Sequence, residues 1–242
     1  MELCKSGVIN IALCCHEWLK ALDKKVSKWT LINILKAKGF SWRRVRKSLK
    51  SQRDQVMFDF FKQEIKHLRQ AQLQGSIQLW FYDESGFSLN PTGVYAWLPK
   101  ENACELPAQR GNVLTVAGFF QVDNTLQAYS YQGSMTSEIF ITYVEDFLKH
   151  YPPTMKTIVV IDNASFHKSA DVRAKMKIWQ ARNLYFQFLP PYCSELNIIE
   201  TLWHHIKHLW LKIEDYTSND TLKKAVDGIM SQMKIKYTIT YT

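Results

Sequence analysis

The chain has 242 residues, 46% hydrophobic, 22% charged and 13% aromatic, with only 9 glycines and 7 prolines. Such a composition buries a large core, which excludes a disordered tail, a collagen and a coiled-coil rod, and no apolar run nears the roughly 20 residues of a membrane helix. The formal charge of +9 is concentrated: eleven of the 31 Lys and Arg lie between Lys24 and Arg53, where no acid stands, and the rest of the chain is close to neutral.

A base-only segment of this kind points to nucleic acid more than to a solvated face. Cys4, Cys14, Cys15, Cys104 and Cys193 form neither a Cys-x-x-Cys pair nor a zinc-finger spacing, so they read as reduced thiols of a cytosolic protein. The apolar run Val8 to Cys15 is followed by no small-residue cleavage site and does not read as a signal peptide.

Ile11, Cys15, Trp18 and Leu22 recur at helical spacing and predict an amphipathic helix over about 9–22. Asp23 to Val26 form a turn. Ser27 is an N-cap for a second helix from Lys28 to about Lys38, and Gly39 stops it. Two short helices around a tight basic turn predict part of a helix-turn-helix. Lys28, Thr30, Asn33 and Lys36 would then be available to a DNA groove, with Arg43, Arg44, Arg46 and Lys47 on phosphates. The plainer alternative is a helical hairpin packed on the main domain. A third helix over about 54–73 carries Met57, Phe58, Phe61, Ile65 and Leu68 on one face and ends at Gly75. The expected organisation is a DNA-binding segment over 1–53, a connector helix over 54–75 and a main domain over 76–242.

From Ser76 the period changes. Ile77 to Asp83 reads as a strand ending in an acid, and Asn112 to Gln121 and Thr125 to Gln132 as two more, joined by the turn Asp123-Asn124. Thr136 caps a helix running to about His150. Lys156 to Asp162 is β-branched, a buried central strand that also ends in an acid. A helix over about 169–182, a strand over 184–189, a long helix over about 196–213 and a last helix from about Asn219 complete an α/β domain with a mixed sheet flanked by helices.

Asp83 and Asp162 end central strands, the place where α/β sheets hold ligands. Glu200 lies one turn into a helix whose buried stripe is Ile199, Leu202, Trp203, Ile206, Trp210 and Ile213, which puts Glu200 on the rim. Three carboxylates converging from two strands and a helix suit Mg²⁺ or Mn²⁺, leaving positions for water and phosphate. Two such ions would serve phosphoryl transfer. Glu84, by strand alternation, faces away from Asp83. His204 and His208 stand one helical turn apart, but no third zinc ligand is apparent in the sequence. Trp97 and Arg110 flank a loop that could meet DNA, although packing accounts for the tryptophan equally well.

Tyr82-Asp-Glu-Ser-Gly86, Ile161-Asp-Asn-Ala-Ser-Phe-His167 and Leu189-Pro-Pro-Tyr-Cys-Ser-Glu-Leu-Asn-Ile-Ile-Glu-Thr-Leu-Trp203 resemble the three ordered motifs of the DDE transposases of the Tc/mariner superfamily, in particular its bacterial insertion-sequence branch. The resemblance runs from about Lys28 to the C-terminus, and 37 residues separate Asp162 from Glu200, a spacing familiar from that branch. It implies a ribonuclease H-like fold in which Asp83, Asp162 and Glu200 are the catalytic and metal-binding residues, with two Mg²⁺ ions per site and Mn²⁺ able to substitute. It implies cleavage at transposon ends in double-stranded DNA, then attack of the freed 3′-hydroxyls on target DNA, commonly at TA sites, by a homodimer on DNA. A cytoplasmic, nucleoid-associated location follows. Cys193 has no nucleophile's role in such chemistry. His167 matches the family's histidine, which would touch DNA phosphate or orient the Asp162 loop; a structural loop histidine is the alternative.

The sequence departs from the family pattern in two places. Cys193, Ser194 and Ile198 stand where relatives carry Ser, Pro and Pro, which loosens the start of the Glu200 helix by about 1 kcal/mol. The first DNA-binding subdomain is not recognisable, as in an N-terminally truncated copy. The rival readings are a catalytically silent DNA-binding remnant that regulates a full-length copy, and a related nuclease without strand transfer.

Overall fold

The computed structural model describes residues 11–41, 50–90 and 113–241. The chain divides between Ser48 and Leu49 into two compact units. Arg43, Arg44, Arg46, Lys47, Trp97 and Arg110 lie outside the described residues.

The smaller unit contains α1 (Ile11–Leu22) and α2 (Lys28–Ala37). Ser27 caps α2, its Oγ accepting the Thr30 amide at 3.0 Å. Gly39 ends it with φ of 81°, a left-handed turn that lets the Phe40 N–H reach the Leu35 carbonyl at 2.9 Å. Among the described side chains of this unit only Leu31 is buried, while Trp18, Leu22, Trp29 and Ile34 are exposed.

The larger unit begins with α3 (Gln55–Leu73), capped by Asp54, which accepts the Met57 N–H at 3.0 Å. Five strands follow, β1 (Gln78–Phe87), β2 (Leu114–Phe120), β3 (Leu126–Gln132), β4 (Thr157–Ile161) and β5 (Leu184–Phe188), in spatial order β3-β2-β1-β4-β5. The three strands β1, β2 and β3 pair antiparallel, whereas β4 pairs parallel with both β1 and β5. The helices are α4 (Ser137–His150), α5 (Ala170–Ala181), α6 (Ile199–His205) and α7 (Asn219–Ser231). Every residue of β4 is buried, as its unbroken β-branched run requires of a central strand covered on both faces.

Alternation along the strands divides the core in two. Leu79 and Phe81 of β1, with Ile158 and Val160 of β4, face α3, α6 and α7 through Ile65, Trp203 and Val226. Trp80, Tyr82, Val159 and Ile161 face α4 and α5 through Phe140, Phe147 and Trp179. Each face buries several large aromatic or aliphatic side chains, worth roughly 1.5–3 kcal/mol apiece.

Two elements differ from expectation. Strand β1 does not stop at Asp83 but runs on to Phe87, because its ladder with β2 continues to Phe87↔Leu114 after the last β4 pair, Phe81↔Val160. The helix expected over 196–213 is broken up: a 3₁₀ turn at Ser194–Leu196, then α6, then a π turn at Ile206–Trp210, with a further 3₁₀ turn at Ile213–Thr217. The first break has a clear cause. Asn197 is extended (φ −95°, ψ 107°) and its side chain is committed elsewhere, so no helix passes through it.

Candidate active site

The parallel register builds the site. Phe81 lies opposite Val160, so two residues further on Asp83 and Asp162 leave adjacent strands on the same face, the one that α6 covers. Asp83 stays in the ladder opposite Gly118, while Asp162 turns off the end of β4 and accepts the Ala164 N–H at 3.0 Å. Gly118 is needed there. A Cβ on it would come within 3.1 Å of the Trp203 ring and 3.3 Å of Ile199 Cδ1, so glycine lets α6 press against the sheet beside Asp83. Pressed in this way, Trp203 donates its indole N–H to Asp83 Oδ2 at 3.1 Å.

Asn197 fixes the third acid. Its side-chain amide donates to the Tyr82 carbonyl at 2.8 Å, a buried bond one residue before Asp83, and three residues later Glu200 stands in the first turn of α6. Asp83, Asp162 and Glu200 then line one cavity of about 290 Å³, walled by Pro190, Cys193 and Asn197. Glu200 is exposed at its rim.

Electrostatics sets this cavity apart from an ordinary polar cleft. Burial, followed by the charges of Glu200 and Glu84, pushes the Asp83 carboxyl well above the usual carboxylate range. Burial and then Asp162 raise Glu200, against the pull of Lys207. Asp162 goes the other way: burial alone would raise it, but contact with His167 and the Ala164 N–H lowers it. Lys207, on the π turn, is lowered by its own burial, opposed by Glu200 and Asp83. Carboxylates facing one another under partial burial favour a cation between them.

The donor set suits a divalent ion of the hard class, being all carboxylate oxygen. Among the described residues no three His, Cys, Asp or Glu side chains stand close enough to share one ion. A pair suffices for Mg²⁺, which is held by one or two carboxylates and completes its shell with water and phosphate. Asp83, Asp162 and Glu200 are the carboxylates the cavity offers.

His167, expected either at DNA phosphate or beside Asp162, is wholly buried and so presents no surface to DNA in this structure. Its ring lies between two carboxylates, Nδ1 3.0 Å from Asp162 Oδ1 and Nε2 3.4 Å from Glu84 Oε1. Burial would lower its pKa, but these two acids raise it. Glu84 does face away from Asp83, on the Tyr82 side of the sheet. Cys193 is buried, its Sγ 3.4 Å from the Pro191 carbonyl, and burial raises its thiol, so it presents no thiolate. The groove candidates Lys28, Thr30, Asn33 and Lys36 are all exposed on α2, with the Thr30 hydroxyl 2.7 Å from Ser27 Oγ.

Sequence reasoning passed over Asn197, Trp203 and Lys207 as site residues. Asn197 had a signal, since an Asn just ahead of an apolar helix reads as a cap, but its side chain is spent on β1. Trp203 was accounted for by the apolar stripe, and Lys207 carried no signal distinct from the other surface bases.

Comparison with known proteins agrees with this architecture. The profile of the DDE superfamily endonucleases matches residues 78–223, more than half of the chain. No match to the sequence was found among curated proteins. Among solved structures, the chain is similar to a Mos1 transposase paired-end complex with the left transposon end, at TM-score 0.56 and 15% identity, over 92% of this chain and 71% of that one. It is similar to a Mos1 strand transfer complex at TM-score 0.55 and 14% identity, over 92% and 70%. A Mos1 mariner paired-end complex with Mn follows at 0.53 and 14%, over 92% and 71%. These likenesses establish the ribonuclease H-like fold of the larger unit. The sheet and the profile that spans it from β1 into α7 agree, and the chain belongs to the DDE endonuclease superfamily.

Proposed function

We propose that the protein is a transposase of the Tc/mariner type, which cleaves DNA at transposon ends and joins the freed 3′-hydroxyls to target DNA. The observation that carries this reading is the shared cavity of Asp83, Asp162 and Glu200, whose acids repel one another under burial. In this reading Asp83, Asp162 and Glu200 would together hold two Mg²⁺ or Mn²⁺ ions. When bound, the ions supply charge neutralisation at phosphorus and activation of the attacking oxygen.

The chain's own residues do the rest. Trp203 orients one Asp83 oxygen through its indole N–H, and Asn197 ties the start of the Glu200 helix to β1, so acids from two strands and a helix keep a common geometry. Lys207, near Glu200 and Asp83, places a cation where a DNA phosphate would approach. No side chain forms a covalent intermediate. Lys28, Thr30, Asn33 and Lys36 of α2 meet a DNA groove, and the bases Arg43, Arg44, Arg46 and Lys47 meet phosphates. The paired-end complex with a transposon end and the strand transfer complex of the similar transposase support DNA ends as substrate; a homodimer as the working form and TA as target are part of the same proposal.

The test incubates the full chain with a 3′-hydroxyl transposon-end duplex, supercoiled plasmid and Mn²⁺, beside Asp162→Asn. Joined products that disappear in the variant are expected. Nicking without joining would reduce the reading to a nuclease, and binding with neither reaction would leave a silent DNA-binding protein.

A further inference from the structure

Glu84 follows Asp83 directly, yet β1 sends it to the opposite face of the sheet, away from the cavity. There its Oε1 lies 3.4 Å from Nε2 of His167, whose Nδ1 lies 3.0 Å from Oδ1 of Asp162. The imidazole is wholly buried, and among the described residues neither of its nitrogens has a hydrogen-bond partner beyond these two carboxylate contacts. A buried polar ring is costly to leave unpaired, so the two acids are what hold it in place.

The surroundings leave it little freedom. The His167 ring packs against Phe166, Phe140 and Tyr82 at centroid distances of 4.1, 4.6 and 5.7 Å. The turn that carries it is pinned to the start of α4, where Ser137 Oγ donates to the Phe166 carbonyl at 3.1 Å. Glu84 is fixed by the ladder opposite Ala117. Asp162, by contrast, lies beyond the end of β4, where no ladder holds it, and among the described residues its Oδ1 meets the Ala164 N–H and His167.

We propose that Glu84 and His167 are positioning residues for Asp162: Glu84 anchors the imidazole, and the imidazole holds Oδ1 of Asp162 so that the carboxylate keeps one orientation toward the metal cavity. One dipeptide of β1 then serves both strand acids, Asp83 by direct contribution and Glu84 through the thickness of the sheet. Outer partners of this kind act through the orientation and basicity of the group they touch, and losing one commonly costs 10–100-fold in metal affinity or activity. The inference rests on Asp162 being a metal ligand.

The test measures Mn²⁺ binding to the full chain from the electron paramagnetic resonance of free Mn²⁺, together with Mn²⁺-dependent plasmid nicking. Glu84→Met keeps length and removes the acceptor. His167→Phe keeps the ring packing and removes both nitrogens, and Glu84→Gln retains an oxygen for Nε2–H. Glu84→Met and His167→Phe are expected to weaken Mn²⁺ binding at least about tenfold and to lower kcat, with KM for DNA and metal-free Tm near wild type. Glu84→Gln should stay within about threefold. If Asp162→Asn weakens Mn²⁺ binding while the folded Glu84→Met and His167→Phe do not, the positioning role is overturned and the metal reading stands. If Asp162→Asn changes nothing, both fall. A Glu84→Gln as damaged as Glu84→Met would also overturn the anchoring contact.

Discussion

Asp83 and Glu84 are neighbours in sequence but belong to opposite faces of one sheet, and the two faces treat a carboxylate differently. On the α6 face burial first, and then the charges of Glu200 and Glu84, raise the Asp83 carboxyl, which therefore resists ionisation. On the α4–α5 face Glu84 meets an imidazole inside an aromatic cluster in which Phe119 and Phe147 stack at 4.3 Å. Charge on the first face waits for a cation from outside, and charge on the second has its partner within the fold. A single strand can therefore carry a reactive acid and a stabilised one side by side, because alternation separates them by the thickness of the sheet.

The sharpest way to break this contrast is to neutralise the uncompensated acid. Asp83→Asn should reduce DNA cleavage about a thousandfold, the several kcal/mol that a ligand to a catalytic ion supplies. The same change should stabilise the metal-free chain, and increasingly so as pH rises. The folded-state pKa of Asp83 lies above its unfolded value near 3.9, so the native chain binds the extra proton. The stability this contributes is present below the unfolded pKa and lost as pH rises through the folded one. Melts from about pH 4 to about pH 8 should show a Tm gap between variant and wild type that widens with pH; a constant gap would count against a raised Asp83 carboxyl.

The aromatic face should fail in stability instead. Phe147→Ala removes a wholly buried ring and should cost about 3–5 kcal/mol in denaturant unfolding, while the folded fraction keeps its Mn²⁺ requirement. Gly118→Ala probes the close approach that seats α6 on β2. It should cost about 1–3 kcal/mol, since the Trp203 ring is buried and cannot easily give way, and a shifted tryptophan emission should accompany weaker cleavage. The smallest effect is expected at Ile198, where φ of −64° and an extended Asn197 before it already match what proline requires. Ile198→Pro should raise stability by about 0.4–1 kcal/mol with KM unchanged; a fall in Tm would mean that the apolar contacts of Ile198 matter more than its backbone.

Much of this architecture was legible in the sequence because it follows from period and punctuation. The β-branched run ending at Ile161, the caps at Ser27 and Thr136 and the stop at Gly39 all act locally, and the structure keeps them. That Asp83 and Asp162 leave the sheet on one face follows from strand parity once β1 and β4 are neighbours. What was not legible depends on partners distant in sequence. The length of β1 is set by β2, more than 25 residues later, and the break before α6 by an Asn197 side chain that bonds to Tyr82. The place of His167 depends on Glu84, an acid that period alone marks only as facing away from the site. Local rules locate the acids, and long-range pairing decides what holds them.

The bonds that Asn197 and Trp203 make to Tyr82 and Asp83 span 115 and 120 residues. Contacts of that reach are costly in loop closure and form late. During synthesis β1 is made long before α6, and neither Glu200 nor the groups that seat α6 exist until most of the larger unit has been synthesised. A nascent or prematurely terminated chain thus carries Asp83 and Asp162 without the helix that completes the cavity. The cavity is therefore complete only once almost the last of the sheet and helices are in place.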